Sequence, residues 1–354
     1  MQRLKIVKQL AKAMAVTSLV VSVSACSQQS DKSDGKPQAV TTTIMGSGSS
    51  FIYPAMSRWA NSYYEKTGVQ LSYQPIGSGG GQRQIFAGTV NFAASDQPLT
   101  TRQLEKYDLI QFPAIVGGIV PVVNIPDVKA NQLTLSGQVL ADIYLGKITY
   151  WDDAAIKTLN PNVNLPHKAI ITVHRADGSG TTYNFAKYLA SISPNWQTKV
   201  GVDTSLQWPN GIGAKGNQGV AAQVQQVEDS IGYVEYAYAK TTKMTTVKLI
   251  NAAGQAVVPD LSTFASAAEY ANYQPENNYN LILVNQPGKN SWPIVATTFV
   301  LLPEKARGDM NAQIKHFFQF AYSPAGDKIA RKLDYVGIPA KVVTGIENYW
   351  QKAK

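Results

Sequence analysis

Cysteine occurs once in the 354 residues, at Cys26, so no intramolecular disulfide can form and a disulfide-stapled fold is excluded. Histidine is nearly as scarce. His167, His174 and His316 stand apart, and no cluster of residues has metal-ligand spacing, so neither a metal nor another cofactor is expected. No serine lies in a G-x-S-x-G turn, which removes a common sign of a serine hydrolase. Charged residues make up only 16% of the chain and are scattered rather than gathered into a basic stripe with aromatics, so nucleic acid is not an expected partner. The formal net charge is +9, but Arg3, Lys5, Lys8 and Lys12 supply four of those charges in an acid-free front end, leaving a mild excess. The apolar stretch at residues 13–25 is too short for a good membrane span.

What is present begins with that front end. Residues 1–12 are basic and 13–25 are small and apolar, the pattern of a secretory signal. Val23-Ser24-Ala25-Cys26 resembles the bacterial lipobox, which implies cleavage before Cys26 and acylation of its sulfur and new amino group. Several acyl chains hold a protein to a membrane stably, where one binds only marginally. Residues 27–40 are polar and read as a flexible tether. The remaining length, with 44% apolar residues overall, has room for two domains with real cores.

From about residue 41 the chain alternates strand, turn and helix. Strands are expected near 42–45, 69–73 and 90–94, and helices over 51–66, 82–87 and 101–107, the signature of a layered α/β fold. The apolar run 112–125 contains Gly117-Gly118 and predicts two short strands joined at the glycines, crossing from a first lobe (41–118 and 291–354) to a second (119–290). Residues 293–302 predict a strong strand that crosses back. Two crossings make a hinge, and a ligand would sit in the cleft between the lobes. Gly211-Ile-Gly213-Ala-Lys-Gly216 satisfies G-x-G-x-x-G, but no strand is evident before it, so a loop ahead of a helix at 219–227 is expected rather than a dinucleotide site.

The densest chemistry lies at 174–182, His-Arg-Ala-Asp-Gly-Ser-Gly-Thr-Thr. A β-branched strand precedes it and a helix follows. Ser179, Gly180 and Thr181 therefore fall at a helix start, where unpaired N–H groups and the helix dipole favour an anion, and Arg175 brings a planar fork suited to an oxyanion. Taken alone, the turn reads equally as a capped helix with Arg175 paired to Asp177. Three other strand ends also carry small polar residues, Ser49-Ser50, Ser78 and Ser95-Asp96, and ligands of open α/β sheets bind beyond strand carboxyl ends. Four such ends point to a polyatomic anion.

These stretches also carry a resemblance. Gly46-Ser-Gly-Ser-Ser-Phe51, Ile76-Gly-Ser-Gly-Gly-Gly81, Ala94-Ser-Asp96, Phe112-Pro-Ala-Ile-Val-Gly-Gly118, Asp142-Ile-Tyr-Leu-Gly-Lys147, Arg175-Ala-Asp-Gly-Ser-Gly-Thr181, Ile231-Gly-Tyr-Val-Glu-Tyr-Ala-Tyr238 and Trp292-Pro-Ile resemble, in order, the periplasmic phosphate-binding proteins of bacterial phosphate ABC transporters. The resemblance implies a type II periplasmic-binding-protein-like α/β fold, two lobes on a two-crossing hinge, binding inorganic phosphate and delivering it to membrane permease subunits. A monomer on the periplasmic or cell-surface side, held to the membrane through Cys26, is expected, with no catalysis. By motif, the phosphate contacts would be Ser50, the backbone of Phe51, Ser78 and Asp96 from one lobe, and Arg175, Ser179, Gly180 and Thr181 from the other, with Asp177 holding the Arg175 fork. Ser50 stands where the family commonly has threonine, and Gly79 where it often has a second serine; neither removes a required donor. An ionised Asp96 would accept the phosphate P–OH and repel sulfate, which carries no proton. The alternatives are a binding lipoprotein for another oxyanion and a phosphate-ester hydrolase.

Overall fold

The structure is a computed structural model that describes residues 43–305 and 308–352. The signal segment, Cys26 and the tether lie outside the described residues. The chain opens with β1 (Ile44–Gly48), α1 (Tyr53–Thr67), β2 (Leu71–Gln74), α2 (Ser78–Phe86), β3 (Phe92–Ser95) and α3 (Thr101–Lys106). Met56, Trp59 and Tyr63 bury one face of α1, and Gly68, in the left-handed region at φ 73°, ends it. Helix α2 starts earlier than its side chains suggest. Its glycine run is the first helical turn, because α2 lies directly on β1: a Cβ at Gly81 would sit 2.4 Å from Gly48 Cα.

Strand β4 (Leu109–Asn124) corrects a second expectation. It is one 16-residue strand, not two. Its glycines make room rather than a turn: a Cβ at Gly118 would fall 2.2 Å from the Phe264 ring, and one at Gly117 would fall 2.9 Å from Phe51. There follow β5 (Thr134–Leu135), α4 (Gly137–Tyr144), α5 (Ala154–Leu159), β6 (Ile171–Arg175), α6 (Gly180–Ile192), α7 (Pro194–Lys199), β7 (Ile212–Ala214), α8 (Gly216–Gln226), β8 (Ser230–Glu235) and α9 (Tyr236–Thr241). The G-x-G-x-x-G stretch is thus not a loop. It holds the short strand β7 and the start of α8, three residues before the expected helix. The chain ends with β9 (Thr245–Thr246), β10 (Lys248–Ile250), β11 (Ala256–Val257), α10 (Leu261–Ala268), β12 (Leu283–Val284), β13 (Ile294–Pro303), α11 (Met310–Tyr322), α12 (Pro324–Arg331) and α13 (Ala340–Lys352).

The main sheet runs β2-β1-β3-β13-β4-β8-β6-β7, and a small sheet runs β11-β10-β5. The outer pairs β1–β2, β1–β3, β6–β8 and β6–β7 are parallel, as α/β alternation predicts. The centre is antiparallel. Strand β4 pairs with β13 from Leu109 to Gly118, then with β8 from Ile119 to Asn124. It therefore belongs to both halves of the sheet and changes partner at Gly118/Ile119. The β13–β4 register shifts between Thr298 and Phe299, opposite Pro113 and Ala114. Proline has no N–H for a ladder, so a bulge is where an inner strand tolerates it.

Two aromatic clusters fill the core. On one side Phe317 and Phe318 of α11 pack against Tyr63, Phe92 and Phe112. On the other, Phe185 of α6 stacks on Tyr233 at 4.1 Å, beside Tyr144. Each fully buried ring of this kind stabilises the fold by roughly 1.5–3 kcal/mol.

Candidate functional site

The β1–α1 turn, the start of α2, the end of β3 and the β6–α6 turn come together at the middle of the sheet. Ser49, Ser50, Phe51, Ser78, Asp96, Arg175, Ser179 and Thr181 are all at most 4% exposed. Gly180 sits against both Ser78 and Asp96: a Cβ there would be 2.4 Å from Ser78 Oγ and 2.7 Å from Asp96 Oδ2. The phosphate contacts named from sequence therefore lie in one buried constellation with half-buried Asp177 at its edge, and it also draws in others that the sequence did not mark.

Asp96 is the centre of one network. Ser49 Oγ donates to Oδ2 at 2.7 Å and Thr298 Oγ1 donates to Oδ1 at 2.7 Å. The Asp96 N–H donates to Ser78 Oγ, and its carbonyl accepts from Asn184 Nδ2 of α6. Burial pushes the carboxyl up to about 6, against the opposing pull of Thr298, Ser49, Arg175 and Ser78. The Phe51 N–H, expected to face the ligand, instead donates to Ser49 Oγ at 2.9 Å. It supports the Asp96 network from behind.

Arg175 is the centre of the other. Its Nε and Nη2 donate to the two oxygens of Asp177 at 2.7 and 2.6 Å, the pairing expected from sequence. This leaves Nη1, which reaches Thr181 Oγ1 at 3.4 Å, as the guanidinium edge turned into the site. Burial would raise the Asp177 carboxyl, but the Arg175 guanidinium and the Gly216 N–H hold it below its ordinary value. Ser179 caps α6: its Oγ accepts from Thr182 N at 3.0 Å, so its O–H remains available to donate. At Gly180 and Thr181, the first helical positions, the amides have no partner within the helix.

The site offers one guanidinium edge, several hydroxyl and amide donors, and one carboxylate acceptor. That donor-rich set suits a small oxyanion carrying a proton. None of the site serines is hydrogen-bonded to a histidine. His174, beside Arg175, stacks on Trp208 at 4.7 Å, and His167 pairs with Asp152 at the surface, so neither forms a serine–histidine pair with the site. A Gly180→Ala substitution tests the closeness of fit. Alanine suits the first turn of a helix, so the fold is expected to persist. The methyl would collide with Ser78 and Asp96 and lower anion affinity about tenfold or more, on the scale of about 1–3 kcal/mol for overpacking. Calorimetric titration measures it, and native affinity in the variant would show that the anion lies elsewhere.

Sequence reasoning missed Asn184, Asn217 and Thr298, and it placed Ser49 at the right strand end without its bond to Asp96. Thr298 looks like β-branched filler in an apolar strand, and Asn184 like a polar residue on a helix face. Asn217 was within reach: it follows the G-x-G-x-x-G stretch whose strand–turn–helix geometry delivers it.

Comparison with known proteins gives the family and the fold class. A PBP superfamily domain model matches residues 32–325. The chain is 47% identical over 316 residues to the phosphate-binding protein PstS of Haemophilus influenzae, covering 89% of this chain and 94% of that one. It is 48% identical over 314 residues to that of Xylella fastidiosa, covering 88% and 86%. Among solved structures, a periplasmic phosphate-binding protein (PfluDING) bound with phosphate superposes with a TM-score of 0.71 at 20% identity, covering 87% of this chain and 93% of that one, a likeness of fold. The fold is thus of the type II periplasmic-binding-protein class, and the chain belongs to the PstS family of phosphate-binding proteins.

Proposed function

We propose that the protein captures inorganic phosphate in this buried constellation and delivers it to the permease of a phosphate ABC transporter. The observation that carries the reading is the pairing of a single acceptor, Asp96, with a surround of donors. The Arg175 charge is already balanced by Asp177, so a bound phosphate is held mainly by hydrogen bonds to fixed dipoles rather than by surplus positive charge. The contacts are Ser50, Ser78, Asp96, Arg175, Ser179, Gly180 and Thr181, with Phe51 contributing through Ser49. The protein acts as a binding component and not as an enzyme.

Two lobes, 41–118 with 291–354 and 119–290, close on the ligand about the point where β4 changes partner. Bonds that cross between them support a closed form: Gly79 N to Gly178 O at 2.9 Å, Asn184 Nδ2 to Asp96 O at 2.7 Å, and Tyr238 OH to Ser50 O at 2.7 Å. An acylated Cys26 and the tether to residue 40 would hold a monomeric receptor to the membrane on the periplasmic side.

Calorimetric titration of residues 27–354 with phosphate, sulfate and a generic phosphate ester tests the reading. Tight one-to-one phosphate binding, weak sulfate binding and no ester turnover are expected. Absence of phosphate heat, or hydrolysis of the ester, would overturn it.

A further inference from the structure

We infer that Asn217 is a positioning residue that fixes the direction of two hydroxyl protons in the phosphate site, one from each side of the cleft. This rests on the phosphate-binding reading above. Asn217 is fully buried at the second position of α8. Its Oδ1 accepts the backbone N–H of Glu235 at 2.9 Å, and a backbone amide can only donate, so the side-chain amide cannot be the other way round. Nδ2 therefore faces the site. One of its hydrogens goes to Ser50 Oγ at 3.0 Å and the other to Thr181 Oγ1 at 3.2 Å.

The proton count follows. Ser50 Oγ also accepts the Asn217 backbone N–H at 3.0 Å, so both of its lone pairs are occupied. Thr181 Oγ1 accepts from Asn217 Nδ2 and from Arg175 Nη1. A hydroxyl has one hydrogen and two lone pairs, so both groups can only donate into the cleft. Asn217 thereby turns two ambivalent hydroxyls into donors and leaves Asp96 as the acceptor. Its side-chain amide is taken up by Ser50, Thr181 and the Glu235 N–H, so it acts through the two hydroxyls. Because Ser50 comes from the β1–α1 turn and Thr181 from α6, the same amide also ties the two sides together in the closed form.

A double-mutant cycle separates this role from a merely structural one. Asn217→Ala is expected to weaken phosphate binding about 30-fold, the scale of hydrogen bonds to a charged ligand. In a Ser50→Ala/Thr181→Val background, where there is no hydroxyl proton left to aim, the same change is expected to cost less than about threefold. An equal loss in both backgrounds, or native affinity in Asn217→Ala, overturns the inference. Failure of the native chain to bind phosphate would instead overturn the function itself. Asn217→Asp supplies a second measurement should the alanine variant not fold. An ionised carboxylate would draw both hydroxyl protons away from the cleft, whereas a protonated one can donate again. The affinity of Asn217→Asp relative to the native chain is therefore expected to fall as pH rises through the titration of the new aspartate. A ratio that stays constant with pH counts against the inference.

Discussion

Asp96→Asn is expected to collapse the preference for phosphate over sulfate by about 30- to several-thousand-fold, the range for an unpaired charge facing a ligand in a closed cleft. The carboxylate is 1% exposed, and each oxygen already accepts one hydroxyl proton, from Ser49 and from Thr298. Its remaining lone pairs need a further donor. Phosphate at neutral pH retains a P–OH that supplies one, and sulfate does not. Asparagine presents an N–H that either anion can accept, so sulfate gains more than phosphate loses.

The pH dependence carries its own sign. The folded-state value of about 6 lies above the ordinary 3.8, so folding favours the protonated carboxyl. Stability from this group is present in full below about 4 and is lost as pH rises toward about 6, a difference of about 3 kcal/mol for two units. Without ligand, Asp96→Asn is therefore expected to melt higher than the native chain at pH 8 and to lose that advantage in acid. By the same logic, the protonated native side chain can donate to sulfate, so discrimination should narrow below about pH 6 in the native chain and stay flat in the variant. Calorimetry with both anions at pH 5 and 8 measures this. An unchanged phosphate-to-sulfate ratio at pH 8 in Asp96→Asn would remove Asp96 from its role.

Arg175→Ala is expected to cost both binding and stability. The guanidinium is 4% exposed, clamps Asp177 with two of its nitrogens and turns the third toward Thr181. Truncating one partner of a desolvated charged contact costs about 2–5 kcal/mol in affinity, about 30-fold to several-thousand-fold. It also leaves Asp177 without its partner, which costs about 3–5 kcal/mol in a buried pair. The Asp177 carboxyl is held low, so its contribution is the reverse of that of Asp96: present at neutral pH and lost in acid. Asp177→Asn keeps the Arg175 charge but removes its balancing carboxylate and loosens the fork, and Arg175→Lys keeps a positive charge without the fork. Affinity should fall in the order native, Asp177→Asn, Arg175→Lys, Arg175→Ala. An Arg175→Ala chain within tenfold of native affinity would show that the guanidinium is a scaffold for Asp177 alone.

Much of this site could be read from sequence because it is built from strand ends and helix starts, which announce themselves locally. Ser50, Ser78, Asp96 and the 175–181 turn each sit where an apolar run gives way to small polar residues. The missing members act across long separations. Thr298 reaches Asp96 from 202 residues away, and Asn217 reaches Ser50 from 167, so no local pattern connects them. Glycine was the main source of error in the fold. At 79–81 and 117–118 a glycine run suggests a turn, but both runs make room for neighbouring atoms, a demand that only packing reveals.

Strand β13 lies between β3 and β4, although it begins at Ile294 and they end at Ser95 and Asn124. Until residues 294–303 emerge during synthesis, β3 and β4 have open edges with no occupant, while β4, β6 and β8 can already pair through Ile119–Asn124 and Ile171–Thr172. The beginning of the chain, β1 to β3, and its middle can thus each pair within themselves, but they cannot be joined before β13 arrives. The first segments to be made must wait, edges bare, for nearly the last, which makes the interval before completion the period of greatest exposure to misassociation.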